Sequence, residues 1–137
     1  MVVGLSLLKS LTGTQGRDVI NGTPGDDIIS GGIGADTLTS GAGNDVIVYA
    51  SMRDAGDSVT DFAPGVDRLD LSALLASLGI NPATALANGH VRVIAVSGGA
   101  SVQVDADGAA GSAAFRPLLT LKGVSAATIE PVRDLGL

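Results

Sequence analysis

The stretch "GTQGRDVINGTPGDDIISGGIGADTLTSGAGNDVIV", residues 13–48, divides into four nonamers without a gap: 13–21, 22–30, 31–39 and 40–48. The fourth place is always glycine: Gly16, Gly25, Gly34 and Gly43. The sixth is always aspartate: Asp18, Asp27, Asp36 and Asp45. The eighth is always a branched aliphatic: Ile20, Ile29, Leu38 and Ile47. A decayed fifth copy, "YASMRDAGD" (49–57), keeps Asp54 in the sixth place but puts Gly56 in the eighth. Self-similarity at a short fixed period predicts a stacked coil, because one unit alone cannot bury its apolar face.

Each unit has two parts. Places seven to nine predict a short strand whose middle side chain points to one face and whose flanks point to the other. Places one to six predict a turn, in which glycine reaches backbone angles closed to other residues. Two units make one coil, so units one, three and five stack on one side and units two and four on the other. The eighth-place aliphatics then fill a narrow interior. Val19, Ile28 and Val46, in the seventh place, are expected to face outward.

Composition agrees with such an interior. Hydrophobic residues make up 45% of the 137-residue chain but aromatics only 2%: Tyr49, Phe62 and Phe115. Glycine accounts for twenty residues, about twice the usual share. The formal net charge is −6, so no basic surface exists to neutralise phosphates, and a nucleic-acid partner is not expected. There is no cysteine, which removes disulfides and thiolate metal sites.

Stacking the coil lines up the Asp side chains along each edge, where they repel one another. Only Arg17 and Arg53 fall within the repeat region. A bound cation is the economical counter-charge. The available ligands are oxygens, from carboxylates and carbonyls, which favours a hard ion, and irregular six- to eight-oxygen geometry favours Ca²⁺ over Mg²⁺. Asp is also a common turn residue, but four in strict register with glycine exceed that explanation.

These residues resemble the RTX nonapeptide family, whose repeat reads G-G-x-G-x-D-x-U-x. The resemblance implies an all-β, right-handed parallel β-roll with a C-terminal β-rich cap containing one or two short helices. It also implies Ca²⁺ between unit n and unit n+2. The earlier turn gives the carbonyls of its second and fourth places and its Asp; the later turn gives the carbonyls of its first and third places and its Asp. Carried over, one site uses Thr14, Gly16 and Asp18 with Gly31, Ile33 and Asp36. A second uses Thr23, Gly25 and Asp27 with Ser40, Ala42 and Asp45. A third uses Gly32, Gly34 and Asp36 with Tyr49, Ser51 and Asp54. A fourth, incomplete site joins Gly41, Gly43 and Asp45 to Asp57. The implied content is three to four Ca²⁺ ions. Thr14 and Thr23 depart from the pattern at a glycine place, and the fifth unit lacks its glycines.

The resemblance extends beyond the repeats. "DSVTDFAPGVDRLDLSALL" (57–75) looks like the segment that follows RTX arrays in type I-secreted proteins, and the remainder is similar to the C-terminal secretion region of large RTX surface adhesins. The implied organisation is a lead-in or cap over 1–12, the roll over 13–57, and a capping and secretion-signal region over 58–137. Asp61, Asp67 and Asp70 are expected to hold hydrogen-bonded turns.

Within the last region, "LDLSALLASLGI" predicts a strand running into a short helix, with Ser72 as cap and Gly79 as stop. "NPATALANG" predicts a second helical turn with Pro82 near its start. "HVRVIAV" and "SVQVDAD" alternate around "SGGA", a hairpin signature. "ADGAAGSAA" reads as a flexible loop, and "FRPLLTLKGV" as a further strand. Together they are expected to cover the open end of the roll.

Catalytic signatures are not found. His90 is the single histidine, and no nucleophile-elbow sequence surrounds any serine. "GGIGAD" lacks the third glycine of a dinucleotide fingerprint and precedes a strand where a helix is needed. "DADG" (105–108) reads as a plain turn, without the other ligands of an EF-hand loop. "MVVGLSLLKSL" lacks a basic leader and a small-residue cleavage site, so it does not read as a signal peptide. No apolar run reaches the roughly 18 residues that span a bilayer.

The expectation is therefore a non-enzymatic module of a larger secreted or cell-surface protein, an adhesin, as a monomeric fragment. It would be exported uncleaved through a type I ABC transporter complex and folded by Ca²⁺ outside the cell. At millimolar Ca²⁺ and a dissociation constant of ~10⁻⁴ M, each site contributes roughly 1.4 kcal/mol. Three or four sites give about 4–6 kcal/mol, comparable with the stability of a small domain. The alternatives are the RTX domain of a secreted hydrolase, such as a serralysin-like protease or an alginate epimerase, and a Ca²⁺-dependent carbohydrate-binding module. The shortage of aromatics for sugar stacking weighs against the last.

Overall fold

The computed structural model describes residues 9–108 and 114–137. Most of the expected lead-in segment and the middle of the "ADGAAGSAA" loop lie outside the described residues. Among the described residues, ten strands form two sheets. The four-stranded sheet runs β1 (Lys9–Thr12), β3 (Asp27–Ser30), β5 (Val46–Val48), β7 (Arg68–Asp70). The six-stranded sheet runs β2 (Val19–Asn21), β4 (Thr37–Thr39), β6 (Asp57–Val59), β10 (Arg116–Lys122), β9 (Gly99–Val104), β8 (Val91–Val96).

From β1 to β7 the chain alternates between the two sheets, so each of β1 to β5 pairs in parallel with the strand two further on. This makes a parallel β-solenoid of the β-roll kind. The register places the eighth-place aliphatics in two columns. Leu11, Ile29, Ile47 and Leu69 stand over one another in one sheet. Ile20, Leu38, Val59 and Leu121 do so in the other. Ile29, Leu38, Ile47, Val59, Leu69 and Leu121 are fully buried, while Leu11 and Ile20 at the first rung are half-buried. Burying each such side chain stabilises the fold by roughly 2 kcal/mol. The seventh-place side chains point outward, and Val19 is 72% exposed.

Beyond the repeats, the chain extends one sheet, and its strands cover the open edge of the roll at β6. β10 pairs in parallel with β6, Leu121 beside Val59, and antiparallel with β9. The β9–β10 register slips between Pro117 and Leu119, where proline has no N–H for the ladder. β8 and β9 form the expected hairpin, turning at Gly98 (φ +85°). Two short helices, α1 (Ser72–Ser77) and α2 (Pro82–Ala85), bury Leu74, Leu75 and Ala85 in the same core.

Gly79 stops α1 with φ +72°, as expected. Ser72 does not cap it: Leu71 holds the N-cap position, and the Ser72 hydroxyl donates to Asp70 Oδ1 at 2.6 Å. Asp70 Oδ1 also accepts the Ser72 N–H at 3.0 Å, so the aspartate satisfies the first amide of the helix in place of a serine cap. A third helix, α3 (Pro131–Leu135), packs on β7 and buries Asp134 and Leu135 completely. No helix among the described residues is long and apolar enough to cross a membrane.

Candidate metal centres

The turns bring the aspartates into two columns. The Asp18 N–H donates to Asp36 Oδ1 at 2.8 Å, and the Asp36 N–H to Asp57 Oδ1 at 2.8 Å. On the other edge the Asp27 N–H donates to Asp45 Oδ1 at 2.8 Å, and the Asp45 N–H to Asp67 Oδ1 at 3.1 Å. Asp27, Asp36, Asp45, Asp57 and Asp67 are all buried. Each upper carboxylate thus spends one oxygen on the rung below.

The second oxygens differ. Asp18 Oδ2 accepts the Thr14 N–H at 2.6 Å and Asp27 Oδ2 the Thr23 N–H at 2.7 Å. Asp57 Oδ2 accepts the Tyr49 hydroxyl at 3.0 Å, and Asp67 Oδ2 the Ala63 N–H at 2.9 Å. Asp36 Oδ2 and Asp45 Oδ2 are buried with no hydrogen-bond donor. A buried anionic oxygen without a partner is strongly unfavourable. A cation is the group these two oxygens fit.

Turn chemistry explains why these two residues stand out. Gly32 (φ +84°), Gly34 (+116°), Gly41 (+85°) and Gly43 (+91°) are left-handed at the second and fourth places of units three and four. Thr14 and Thr23 stand at the second place of units one and two, and no described non-glycine residue has positive φ. There the threonine amide turns onto the aspartate instead, and the Thr14 hydroxyl accepts the Gly16 N–H at 3.1 Å.

The glycines also let backbone carbonyls approach. A Cβ on Gly32 would lie 2.5 Å from the Thr14 carbonyl oxygen, and one on Gly34 2.7 Å from that of Gly16. On the other edge, a Cβ on Gly41 or Gly43 would lie 2.6 Å from the Thr23 or Gly25 carbonyl oxygen. The Gly31 and Ser40 carbonyls press likewise on Gly13 and Gly22. Two carboxylates with crowded carbonyls form an all-oxygen donor set, which suits Ca²⁺. Among the described residues no three acidic or histidine side chains converge to hold a metal ion, so backbone carbonyls would have to supply the larger part of any donor set.

The electrostatics point the same way. Burial pushes the Asp45 carboxyl up to about 6; the Asp67 and Asp27 charges add to it, and the Asp27 N–H and the nearby Ser40 hydroxyl oppose it. Burial likewise pushes Asp57 up to about 6, reinforced by the charges of Asp36 and Asp54 and opposed by the Asp36 N–H and the Tyr49 hydroxyl. Asp67 is raised by burial as well. Negative charge here is under-compensated by the protein's own groups.

The structure brings together the aspartates of the first expected site, Asp18 and Asp36, and of the second, Asp27 and Asp45. Ile33 and Ala42 lie between the left-handed glycines of their turns. The third and fourth expected pairings are corrected. Asp54 does not reach Asp36; its Oδ2 accepts the Ala50 and Ser51 N–H groups at 2.9 and 3.3 Å and caps a 3₁₀ turn, Met52–Asp54. Asp57 stands over Asp36 and not over Asp45, whose partner is Asp67. Ser51 caps the same 3₁₀ turn, accepting the Arg53 N–H at 3.2 Å, and Tyr49 meets Asp57 through its hydroxyl.

The cause is chain length. Ala50 and Met52 occupy the second and fourth places of the fifth unit, and neither can take the left-handed turn. The detour lengthens the step between stacked aspartates from 18 residues to 21 on one edge and 22 on the other. The signal for the true register is present: "MRDAGDSVT" (52–60) and "FAPGVDRLD" (62–70) each carry Asp in the sixth place and an aliphatic in the eighth. Asp61, between them, accepts the Ser40 and Gly41 N–H groups, each at 2.8 Å.

Comparison with known proteins adds to this geometry. Residues 12–47 match the family described as RTX calcium-binding nonapeptide repeat (4 copies). The fold is similar to a solved structure, the AlgE6R3 subunit from the Azotobacter vinelandii mannuronan C5-epimerase, with a TM-score of 0.58 and 24% sequence identity. That alignment covers 97% of this chain and 85% of that one. No curated protein matches.

Proposed function

We propose that this chain, which carries RTX calcium-binding repeats, is a calcium-triggered folding module of a type I-secreted protein, and that residues 58–137 carry its export signal. The observation that carries the calcium half is the pair of buried, donorless oxygens, Asp36 Oδ2 and Asp45 Oδ2, set among crowded carbonyls. Without a cation the stacked carboxylates and the entropy of the ten glycines within 13–57 oppose the roll, which keeps the chain threadable. Outside the cell, millimolar Ca²⁺ binds only the folded state and pulls it together by mass action. The primary ligands are Asp36 Oδ2 and Asp45 Oδ2, assisted by the carbonyls of Thr14, Gly16, Gly31, Thr23, Gly25 and Ser40; Asp18 and Asp27 complete the pairs by exchanging their Thr14 and Thr23 donors for the ion.

The export half rests on the resemblance of residues 57–75 and the following strands to type I secretion regions. In this reading the chain performs no chemistry, and its parent is a large surface adhesin. A second reading makes it the RTX module of a secreted enzyme. The fold likeness over 97% of the chain to a module of a mannuronan C5-epimerase supports that parent class. The two readings share the calcium and export roles. The test joins this chain to the C-terminus of a slow-folding passenger in a host with a type I exporter. The passenger reaches the medium, and deleting residues 72–137 keeps it in the cell. Equal export of both fusions refutes the export half.

A further inference from the structure

We propose that Tyr49 terminates the calcium array at two ions, its hydroxyl serving Asp57 where a metal serves Asp36 and Asp45. The inference rests on the calcium-binding reading above. From the second rung on, Asp36, Asp45, Asp57 and Asp67 each give Oδ1 to the N–H of the rung below, so on these rungs Oδ2 decides whether a cation is needed. Asp36 Oδ2 and Asp45 Oδ2 have no donor. Asp57 Oδ2, one rung above Asp36, accepts the Tyr49 hydroxyl at 3.0 Å.

Tyr49 is 1% exposed, so this hydroxyl does not exchange its partner for water. It stands at the first place of the fifth unit, where units one to four have Gly13, Gly22, Gly31 and Ser40. Those places are small because a carboxylate crowds them: a Cβ on Gly31 would lie 2.5 Å from Asp36 Oδ2. In the fifth unit a large side chain enters the column and brings its own donor. The other column closes similarly, through the Ala63 N–H on Asp67 Oδ2 at 2.9 Å. The last aspartate of each column is satisfied by protein hydrogen bonds, so two donorless oxygens leave two ions.

The experiment counts ions by native mass spectrometry of the calcium-loaded chain and follows its emission. Tyr49 is the sole tyrosine and tryptophan is absent, so intrinsic fluorescence reports this hydroxyl alone. The wild type is expected to hold two Ca²⁺. Asp57→Asn is expected to hold two as well, with brighter emission because the quenching carboxylate is gone. Three or more ions in the wild type, one ion fewer in Asp57→Asn, or unchanged emission in that variant each overturn the assignment. A wild type that holds no Ca²⁺ instead refutes the calcium reading itself, and this inference falls with it. The wild-type count decides the matter even if the variant fails to fold.

Discussion

Asp36 accepts the backbone N–H of Asp18 at 2.8 Å with one carboxylate oxygen and buries the other without a donor. The same relation links Asp45 to Asp27. One oxygen of each residue therefore helps to set the stacking register, while the other asks for a cation. Stability and ion binding reside in the same side chain.

Asp36→Asn keeps the acceptor for the Asp18 N–H and removes the buried charge. In excess chelator the variant should hold more β-structure than the wild type, since the unpaired anion has gone. In calcium it should need at least about tenfold more ion for half-folding, a loss of ~1.4 kcal/mol or more. Circular dichroism in both conditions checks the pair of opposite signs.

Asp45 and Asp57 have folded values near 6 against an ordinary 3.8. A raised carboxyl means that the folded state holds the proton more tightly. Its contribution is full below about 3.8 and is lost as pH rises through about 6. In chelator, the folded fraction should therefore grow as pH falls from about 6 towards 4. In limiting calcium the trend should reverse, because protons compete with the ion for the Asp45 carboxylate. A pH series of folded fraction with and without chelator measures both slopes.

Gly34→Ala puts a Cβ 2.7 Å from the Gly16 carbonyl oxygen at a φ of +116°. Strain and overpacking together should cost about 3 kcal/mol. Gly79→Ala, at φ +72° with nothing within 4 Å, should cost only about 1 kcal/mol. Urea unfolding in saturating calcium compares them.

Asp134 ties the last helix to the roll. It accepts the Gly65 N–H at 2.9 Å, the Glu130 N–H at 2.8 Å and two Arg133 donors. Those hydrogen bonds, led by Arg133, hold its carboxyl down at about 2. Its contribution is present above about 3.8 and is lost as pH falls through about 2, the reverse of Asp45. Asp134→Ala should cost about 1–3 kcal/mol through the stranded amides of Gly65 and Glu130. Chemical unfolding at neutral pH in calcium reads this loss.

The roll is legible in the sequence wherever the unit length stays constant. Gly34, Asp36 and Leu38 recur at nine, so turn, ladder and interior follow from one count. Legibility ends at Ala50 and Met52, where missing glycines force a 3₁₀ turn and shift Asp57 into the place that regular spacing gives to Asp54. No local pattern announces that β10 will join β6, because that pairing links Leu119 to Asp57 across half the chain. Helix α3 had a readable signature, Pro131 at its start and Gly136 (φ +68°) at its end, but its role comes from the distant contact with Gly65. The choice between a metal and a hydroxyl at each aspartate is likewise made in three dimensions, by what stands beside Oδ2.

The central claim is that cation binding to the aligned aspartates is what allows the chain to wind. Far-UV circular dichroism during a calcium titration from excess chelator, with magnesium as control, tests it most directly. The account predicts a largely unordered spectrum in chelator, a β-sheet spectrum by millimolar calcium, and no such change with equal magnesium. A full β-sheet spectrum with a cooperative melt in chelator, unchanged by calcium, would contradict it.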